Sequence, residues 1–562
     1  MARSQCSPCL QCRYRKVRCD RRQKTCGTCE RLQFECSFGQ PPADASSPRK
    51  RITQPAPPER RRAIRACLAC RRLKARCSGE LPECDNCRQR QKRCRYVNTD
   101  AAANKPLEAV DDPKGWSPLF PIRRQEMVDA IDRFFYHLYP IPSFAFLHEA
   151  SLRQQCQDGT LDQTLALALA AVVNVFLCSD AAIFQARRSC RSWIQRVEAE
   201  LWEHLHQPSI RQVQCLLLAV HYHIQSGGFS RAYMLAGIAA RSATALRLNY
   251  ERPDLEPCAQ ETRRRVLWAL TIIDGHFSVG LPEYETMPYA IVYQQLPCPE
   301  EEFSGSQSGA LNHPNLLAAC LQVSKIQRDV MRLTRQLAIS DKPLLELPGL
   351  VQEIQSDLWR FHTDLELRYD FSISSTSQPL EMKDSRWFAR YLLTSLSWHQ
   401  VHCDLYRIFL PGYAEAVPAV IMDATDASFR QHAADVCRIH VEQIFKILRG
   451  VFDVDAPLLP TYVAICAYQA ARLALFLPSM VGTKGHIAVD SAVSHGDAAL
   501  AIVNKFFSVA PFAQDIEADL RRLLRTGTFP AQSTDSGRQR HGQLAVHSLI
   551  RQANFVDDGY DD

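Results

Sequence analysis

The stretch Cys9–Cys36, CLQCRYRKVRCDRRQKTCGTCERLQFEC, recurs further on as Cys67–Cys94, CLACRRLKARCSGELPECDNCRQRQKRC. Both follow C-x2-C-x6-C-x6-C-x2-C-x6-C, and every cysteine of the second copy lies 58 residues after its counterpart. The repeat fixes the frame of the opening run CSPCLQC: Cys6 maps onto Ile64 and is the surplus thiol. Thiolates in C-x2-C pairs suit tetrahedral zinc, because both sulfurs of a pair sit on one turn within reach of one ion. Six cysteines cannot fill two separate four-ligand shells. Either two Zn²⁺ share two bridging sulfurs, or one Zn²⁺ takes four and leaves two idle. No histidine precedes His137, which excludes mixed Cys–His sites here. The C-x2-C-x2-C-x3-C-P spacing of ferredoxins also fails, because the next cysteine after Cys12 is Cys19, followed by Asp20.

Charge is divided along the chain. Residues 1–97 carry 25 Lys+Arg against 8 Asp+Glu, a surplus of 17, while the remainder carries 42 against 52, leaving the whole chain at +7. Two zinc clusters would remove only two charges each, so the first hundred residues point to a polyanionic partner. Of 23 cysteines, 13 precede residue 95 and ten are scattered singly through the rest, where they read as small buried hydrophobes. No apolar h-region follows the first Met, so no secretory signal is expected, and the cysteine cluster reads as metal ligation rather than disulfides. The longest apolar run, LALALAAVVNVFLC, is shorter than the ~20 residues a membrane crossing needs and reads as a core helix.

The full six-cysteine spacing resembles the zinc binuclear clusters of fungal transcription factors. The resemblance implies two Zn²⁺ per cluster, four in total, held by Cys9, Cys12, Cys19, Cys26, Cys29 and Cys36 in the first unit. Cys67, Cys70, Cys77, Cys84, Cys87 and Cys94 are their equivalents in the second. The first and fourth cysteines of each unit, Cys9 and Cys26, then Cys67 and Cys84, are the implied bridges. Pro82 matches the family's loop proline, whereas the first unit has Lys24 there. In the family, basic residues three and four positions past the second cysteine reach base edges in CGG-like half-sites of double-stranded DNA. These are Arg15 and Lys16 in the first unit, and Leu73 and Lys74 in the second, so the second cluster departs from the pattern. Arg18, Arg71 and Arg72 complete the cationic set, suited to phosphate contact.

The expected organisation is mainly α: a tail over 1–8, cluster 1 over 9–36, a basic Pro-rich linker over 37–66, and cluster 2 over 67–96. A linker over 97–122, an all-α regulatory domain over 123–525 and a disordered tail over 526–562 follow. Thirty flexible residues span ~30 Å, close to the ~34 Å between half-sites one DNA turn apart, so one chain could engage two half-sites. Pro106, Pro113, Pro118 and Pro121 prevent an apolar heptad after cluster 2. SPRKR and PERRR in the first linker fit nuclear import or plain phosphate contact.

From about residue 121, apolar residues recur at three- and four-residue spacing, as in QVQCLLLAVHYHI and RRRVLWALTIID. FFYHLYPIPSFAFLHEASL, AYMLAGIAARSATALRLN, ETRRRVLWALTIIDGHFSVGLP and WHQVHCDLYRIFLPG resemble, in that order, the middle homology region of the same family. That resemblance implies a regulatory domain with a possible small-molecule effector. No nucleophile elbow, P-loop or dinucleotide fingerprint is present, and no enzyme is expected. Arg263, Arg264 and Arg265 read as a solvated helix start, and Asp274 as a local cap or pair. His221 and His223 cannot share a metal across i,i+2, while His399, His402 and Cys403 share a helix face and read as packing residues. The acidic–aromatic end NFVDDGYDD reads as a solvated tail or a segment that recruits transcriptional coregulators.

The whole points to a nuclear, sequence-specific DNA-binding regulator of RNA polymerase II genes, with no membrane partner, controlling a fungal metabolite gene cluster or a drug or stress response. Two rival readings stand beside it. One is a thiol-based redox or metal sensor with Cys6 reactive; the other is a metal-dependent enzyme built on His399 and tethered to nucleic acid.

Overall fold

The computed structural model describes residues 9, 12, 18–20, 22, 24–31, 36–37, 85–90, 121–177, 183–305, 315–340, 342, 344–369, 371–454, 458–480, 489–526 and 547–553. The chain divides into two compact units, residues 1–108 and 109–562. All regular structure among the described residues is helical.

In the first unit two short helices are described, α1 (Gly27–Arg31) and α2 (Asp85–Gln89). They lie 58 residues apart at both ends, so the sequence repeat is also a repeat of local structure. The helical unit opens with α3 (Arg124–Arg133), which runs into a π turn over Phe134–Leu138 that buries Phe134, Phe135 and Leu138. Then come α4 (Glu149–Asp158), α5 (Gln163–Leu177), α6 (Ile183–Glu203), α7 (Ile210–Gln225), α8 (Phe229–Ala245) and α9 (Pro257–Ser278). After the short α10 (Glu300–Ser304) the chain forms α11 (Leu316–Ala338), α12 (Leu347–Tyr369), α13 (Gln378–Glu381) and α14 (Phe388–Arg407). It ends with α15 (Ala419–Ala424), α16 (Ala427–Phe452), α17 (Thr461–Phe476), α18 (Val489–Phe506) and α19 (Ala513–Thr526).

The helix ends obey local chemistry. Ser209 caps α7 by accepting from Gln212 N at 3.1 Å, and Asn315 caps α11 by accepting from Ala318 N at 3.2 Å. Pro257 opens α9, where a missing N–H costs no helical bond. Past α9 the chain turns through Val279 (φ 50°) and Gly280 (φ 76°). A Cβ on Gly280 would come within 2.6 Å of Met331 Cβ, so glycine alone fits that turn against α11.

One continuous apolar core runs through the unit. α7 is buried along nearly its whole length between α5 and α8, and α14 lies between α11 and α16 with α17 on a further side. The apolar run of α5 is a core helix, with Leu165 to Val173 all buried. No single helix among the described residues is long and apolar enough to cross a membrane. The Pro- and polar-rich stretches at 252–259 and 373–380 fall inside this unit as connections between helices, as does the described part of 296–313.

Two expectations need correction. Arg265 is not solvated: it is 1% exposed, donating to Glu261 at 2.8 Å, to Glu300 and Tyr139 at 2.8–2.9 Å and to the Cys298 carbonyl at 2.9 Å. Arg263 is buried against the carbonyls of Leu246 and Arg247, and Arg264 pairs with Glu251 at 2.9 Å. Glu251, in the loop before α9, and Glu300, at the start of α10, pack on this helix start and supply the counter-charges. The C-terminal stretch differs as well. Within the expected tail, residues 547–553 form a strap in which His547, Ser548 and Leu549 are buried. Ser548 Oγ donates to the Phe277 carbonyl (2.9 Å) and Leu549 N to the His276 carbonyl (3.3 Å).

Candidate metal centre and nucleic-acid interface

The first unit has no aliphatic core among its described residues. Cys9, Cys12, Cys26, Cys29 and Cys36 are each at most 5% exposed and pack on one another, with Cys19 half-buried beside them. The backbone folds the sulfurs together. Cys12 N donates to Cys9 Sγ, Cys29 N to Cys26 Sγ and Cys26 N to Cys36 Sγ, each at 3.4 Å. These donors favour the thiolate form and set the loop around each C-x2-C pair.

Asp20, the residue after the third cysteine, fixes the start of α1. Its carboxylate accepts from Gly27 N at 2.9 and 3.1 Å, and a Cβ on residue 27 would meet it at 2.8 Å. Thr28 Oγ1 donates to the Arg18 carbonyl at 3.0 Å, tying the two halves of the loop. Sequence reasoning gave Asp20 no role; its position directly after Cys19 was the available signal. Lys24, which stands where the second unit has Pro82, has φ 77°. Proline is locked near −65° and could not adopt the conformation of Lys24.

The sulfurs form two groups of four, Cys9–Cys12–Cys19–Cys26 and Cys9–Cys26–Cys29–Cys36, each with its sulfur atoms within 4.8 Å of one another. The groups share Cys9 and Cys26, the two cysteines expected to bridge. Cys9 Sγ lies 3.7 Å from the sulfurs of both Cys26 and Cys29, and Cys12 Sγ is 3.5 Å from Cys26 Sγ. Tetrahedral zinc with ~2.3 Å bonds places its sulfurs ~3.8 Å apart, so this set fits two ions that share two ligands. Burial pushes the Cys9, Cys12 and Cys29 thiols up, Cys29 to about 12, with the neighbouring sulfurs modulating each. Four negative sulfurs in so small a dry volume need a divalent cation among them.

The remaining sequence-derived site residues are less completely placed. Cys87 is buried on α2, in the position that Cys29 holds on α1. Cys67, Cys70, Cys77, Cys84 and Cys94 lie outside the described residues, as do Cys6, Arg15, Lys16, Arg71, Arg72 and Lys74. Arg18 is described and exposed, as are Arg22 and Lys24 in the same loop and Arg88 and Arg90 at the end of α2.

The histidines weighed for an enzyme site pack instead. His399 Nδ1 lies 2.9 Å from His440 Nδ1, and His402 stacks on His440 at 4.1 Å while its Nδ1 bonds the Trp398 carbonyl. His440 was not singled out from sequence. Two imidazoles in face-to-face contact cannot both point a lone pair at one ion, and the described residues outside the cysteine cluster offer no further metal-sized group. His221 bonds the Ser143 carbonyl and stacks on Phe144, whereas His223 bonds Glu198, so the pair serves opposite faces.

Two family descriptions match the chain: the fungal Zn(2)-Cys(6) binuclear cluster domain, at residues 7–45 and again at 65–102, and the fungal specific transcription factor domain, at 131–381. Among curated relatives, an uncharacterized transcriptional regulatory protein of Schizosaccharomyces pombe is 23% identical over 313 residues, 46% of this chain and 45% of the relative. The Zn(2)-C6 fungal-type transcription factor FTF1c of Fusarium oxysporum f. sp. lycopersici is 23% identical over 340 residues, covering 42% of this chain and 36% of that protein. FTF2 of the same organism is 22% identical over 340 residues, covering 42% and 32%. The chain thus spans less than half the length of these relatives.

Proposed function

Because the chain belongs to the fungal Zn(2)-Cys(6) transcription factors, and so is a transcription regulator rather than an enzyme, we propose that it is a nuclear, sequence-specific regulator of RNA polymerase II genes. The observation that carries the proposal is the pair of four-sulfur groups sharing Cys9 and Cys26. The cluster domain binds two zinc ions, which supply the positive charge that holds six thiolates together. In this reading all twelve repeat cysteines are ligands and four Zn²⁺ are bound. The chain's own residues then shape the contact. Asp20 fixes the start of α1, and the bond from Cys12 N to Cys9 Sγ sets the turn that precedes the segment between Cys12 and Cys19. Arg15 and Lys16 on that segment read guanine edges of a CGG-like triplet, while Arg18, Arg71 and Arg72 neutralise phosphates and Lys74 makes the second cluster's single base contact.

The helical unit would modulate that activity in response to a small molecule and to coregulators. Metabolite gene clusters or drug and stress responses are the proposed targets. Genome-wide mapping of bound sites, comparing wild type with Lys16→Ala and Lys74→Ala, tests the reading. Loss of the motif in the first variant alone would make cluster 2 an anchor. Full promoter occupancy in both would sink the base-contact assignment. The sensor reading makes a different demand: Cys6→Ser should then abolish an oxidant response of the reporter.

A further inference from the structure

The helical unit encloses a cavity of about 350 Å³, walled by residues of α7, α9, α11, α14 and α17 and closed on one side by His547 of the strap. That size lies within the range of small-molecule sites. Much of the wall is apolar, including Phe144, Phe176, Ile272, Leu393 and Ile465. The polar remainder is one connected network. Asp404 accepts from Gln400 at 2.8 Å, from Gln327 at 3.1 Å and from Arg407 at 2.9 Å. Arg407 reaches on to Gln469 at 3.0 Å and to Glu415 at 2.9 Å, and Gln469 lies 3.3 Å from His547 Nδ1.

Every charged group on this wall has its counter-charge already. Arg407 sits between Asp404 and Glu415, and Glu415 also takes Arg472 at 2.8 Å. Across the cavity, Arg328 faces Glu285 at 3.4 Å and Asp274 at 3.7 Å, and Arg335 pairs with Glu283 at 2.9 Å. Burial holds the lining imidazoles of His221, His276 and His547 neutral at pH 7, lowered to about 3, 4 and 4. A ligand with a net charge would therefore be desolvated with no free partner of opposite sign.

Two polar atoms of lining residues lack partners among the described residues: Gln400 Oε1, an acceptor, and Arg407 Nε, a donor. Gln400 is 2% exposed and Arg407 5%, and both bond Asp404 through other atoms, Gln400 through Nε2 and Arg407 through Nη1. Buried polar atoms are seldom left so. Val279 also lines the cavity, in the left-handed conformation (φ 50°) that β-branched residues rarely adopt and that is seen chiefly where function holds it.

We propose that this cavity binds an uncharged, mostly apolar organic molecule. The inference rests on the helical unit being the regulatory part of a transcription factor, but its test reads binding alone. The full-length zinc-loaded protein is titrated with N-phenyl-1-naphthylamine, and separately with its sulfonated counterpart 8-anilino-1-naphthalenesulfonate. The neutral dye should bind saturably at one site per chain, and a tenfold excess of the anion should not displace it. Ala414→Trp and Ser324→Phe, which fill the cavity from different walls, should each weaken the neutral dye at least tenfold with unchanged circular dichroism and DNA binding. Displacement by the anion would overturn the neutrality argument. Undiminished dye binding in whichever of the two variants keeps the wild-type circular dichroism would overturn the site. Dye binding that survives in a protein unable to bind DNA would break the proposed function and leave this inference standing.

Discussion

Among the described residues of 9–37 the buried side chains are all cysteine, whereas among those of 121–553 they form one aliphatic and aromatic core with charged groups sealed inside it. The first unit is too small to bury enough apolar surface, so metal bonds take the place of packing. The second is large enough to bury Arg265, Arg390 and Arg407 and to supply each with a carboxylate. Glu300 serves two of them. Burial alone would raise its carboxyl, but Arg390 and Arg265 hold it down at about 2. One unit is specified by the spacing of ligands, the other by complementarity among helices far apart in sequence.

The sharpest way to separate the units is to remove the metal. Chelation of zinc should unfold the cysteine cluster and abolish DNA binding, since structural zinc contributes ~10–16 kcal/mol in comparable small sites. Most of the far-ultraviolet helical signal should persist. Collapse of the helical signal at the same chelator concentration would break the comparison.

Acid should do the reverse and strike the helical unit. His221, His276, His399, His402 and His547 all have pKa values lowered from 6.5 into the range of about 3 to 4, chiefly by burial. The unfolded chain binds protons at these positions first, so stability is full above pH 6.5 and falls as pH drops toward 4. The slope is up to ~1.4 kcal/mol per pH unit for each histidine. Glu300 and Glu415, both held at about 2, add a further loss below pH 4.5. Thermal unfolding of the helical unit should therefore move to lower temperature between pH 7.5 and 5, and a flat profile would refute the burial of these imidazoles.

Arg265→Ala should cost ~3–5 kcal/mol by stranding Glu261 and Glu300, read as a lower midpoint in urea with DNA affinity unchanged per folded molecule. Arg521→Ala, by contrast, removes only the exposed pair with Glu517 on α19, and should shift the midpoint by no more than ~0.5 kcal/mol. Equal losses in the two variants would erase the distinction between sealed and solvated charge.

Legibility in the sequence followed the same division. Ligand spacing is a local code, and the 58-residue repeat exposed it, with Cys6 as the odd thiol, while the family resemblance implied Cys9 and Cys26 as the shared pair. Helical periodicity marked α7 and α9, and an apolar run marked α5, because these signals are written within single segments. Arg265 was misread because three consecutive arginines look solvated, and its partner Glu300 lies 35 residues on, in a stretch that reads as a loop. The cavity left no trace because its wall draws on residues from Ile141 to His547, a pattern with no period. His547–Leu549 looked like tail because one short buried stretch surrounded by polar residues carries too little apolar periodicity to register.

The strap also carries a consequence for biosynthesis. Ser548 bonds a carbonyl 271 residues earlier, and His547 lies between that helix and α17. While the ribosome is still making α18 and α19, the carbonyls of His276 and Phe277 have yet to receive their donors, and that side of the cavity is open to solvent. The helical unit can acquire its final stability only once residues 547–553 have emerged from the exit tunnel. A nascent chain stalled a few codons short would present the same helices with an unsealed seam.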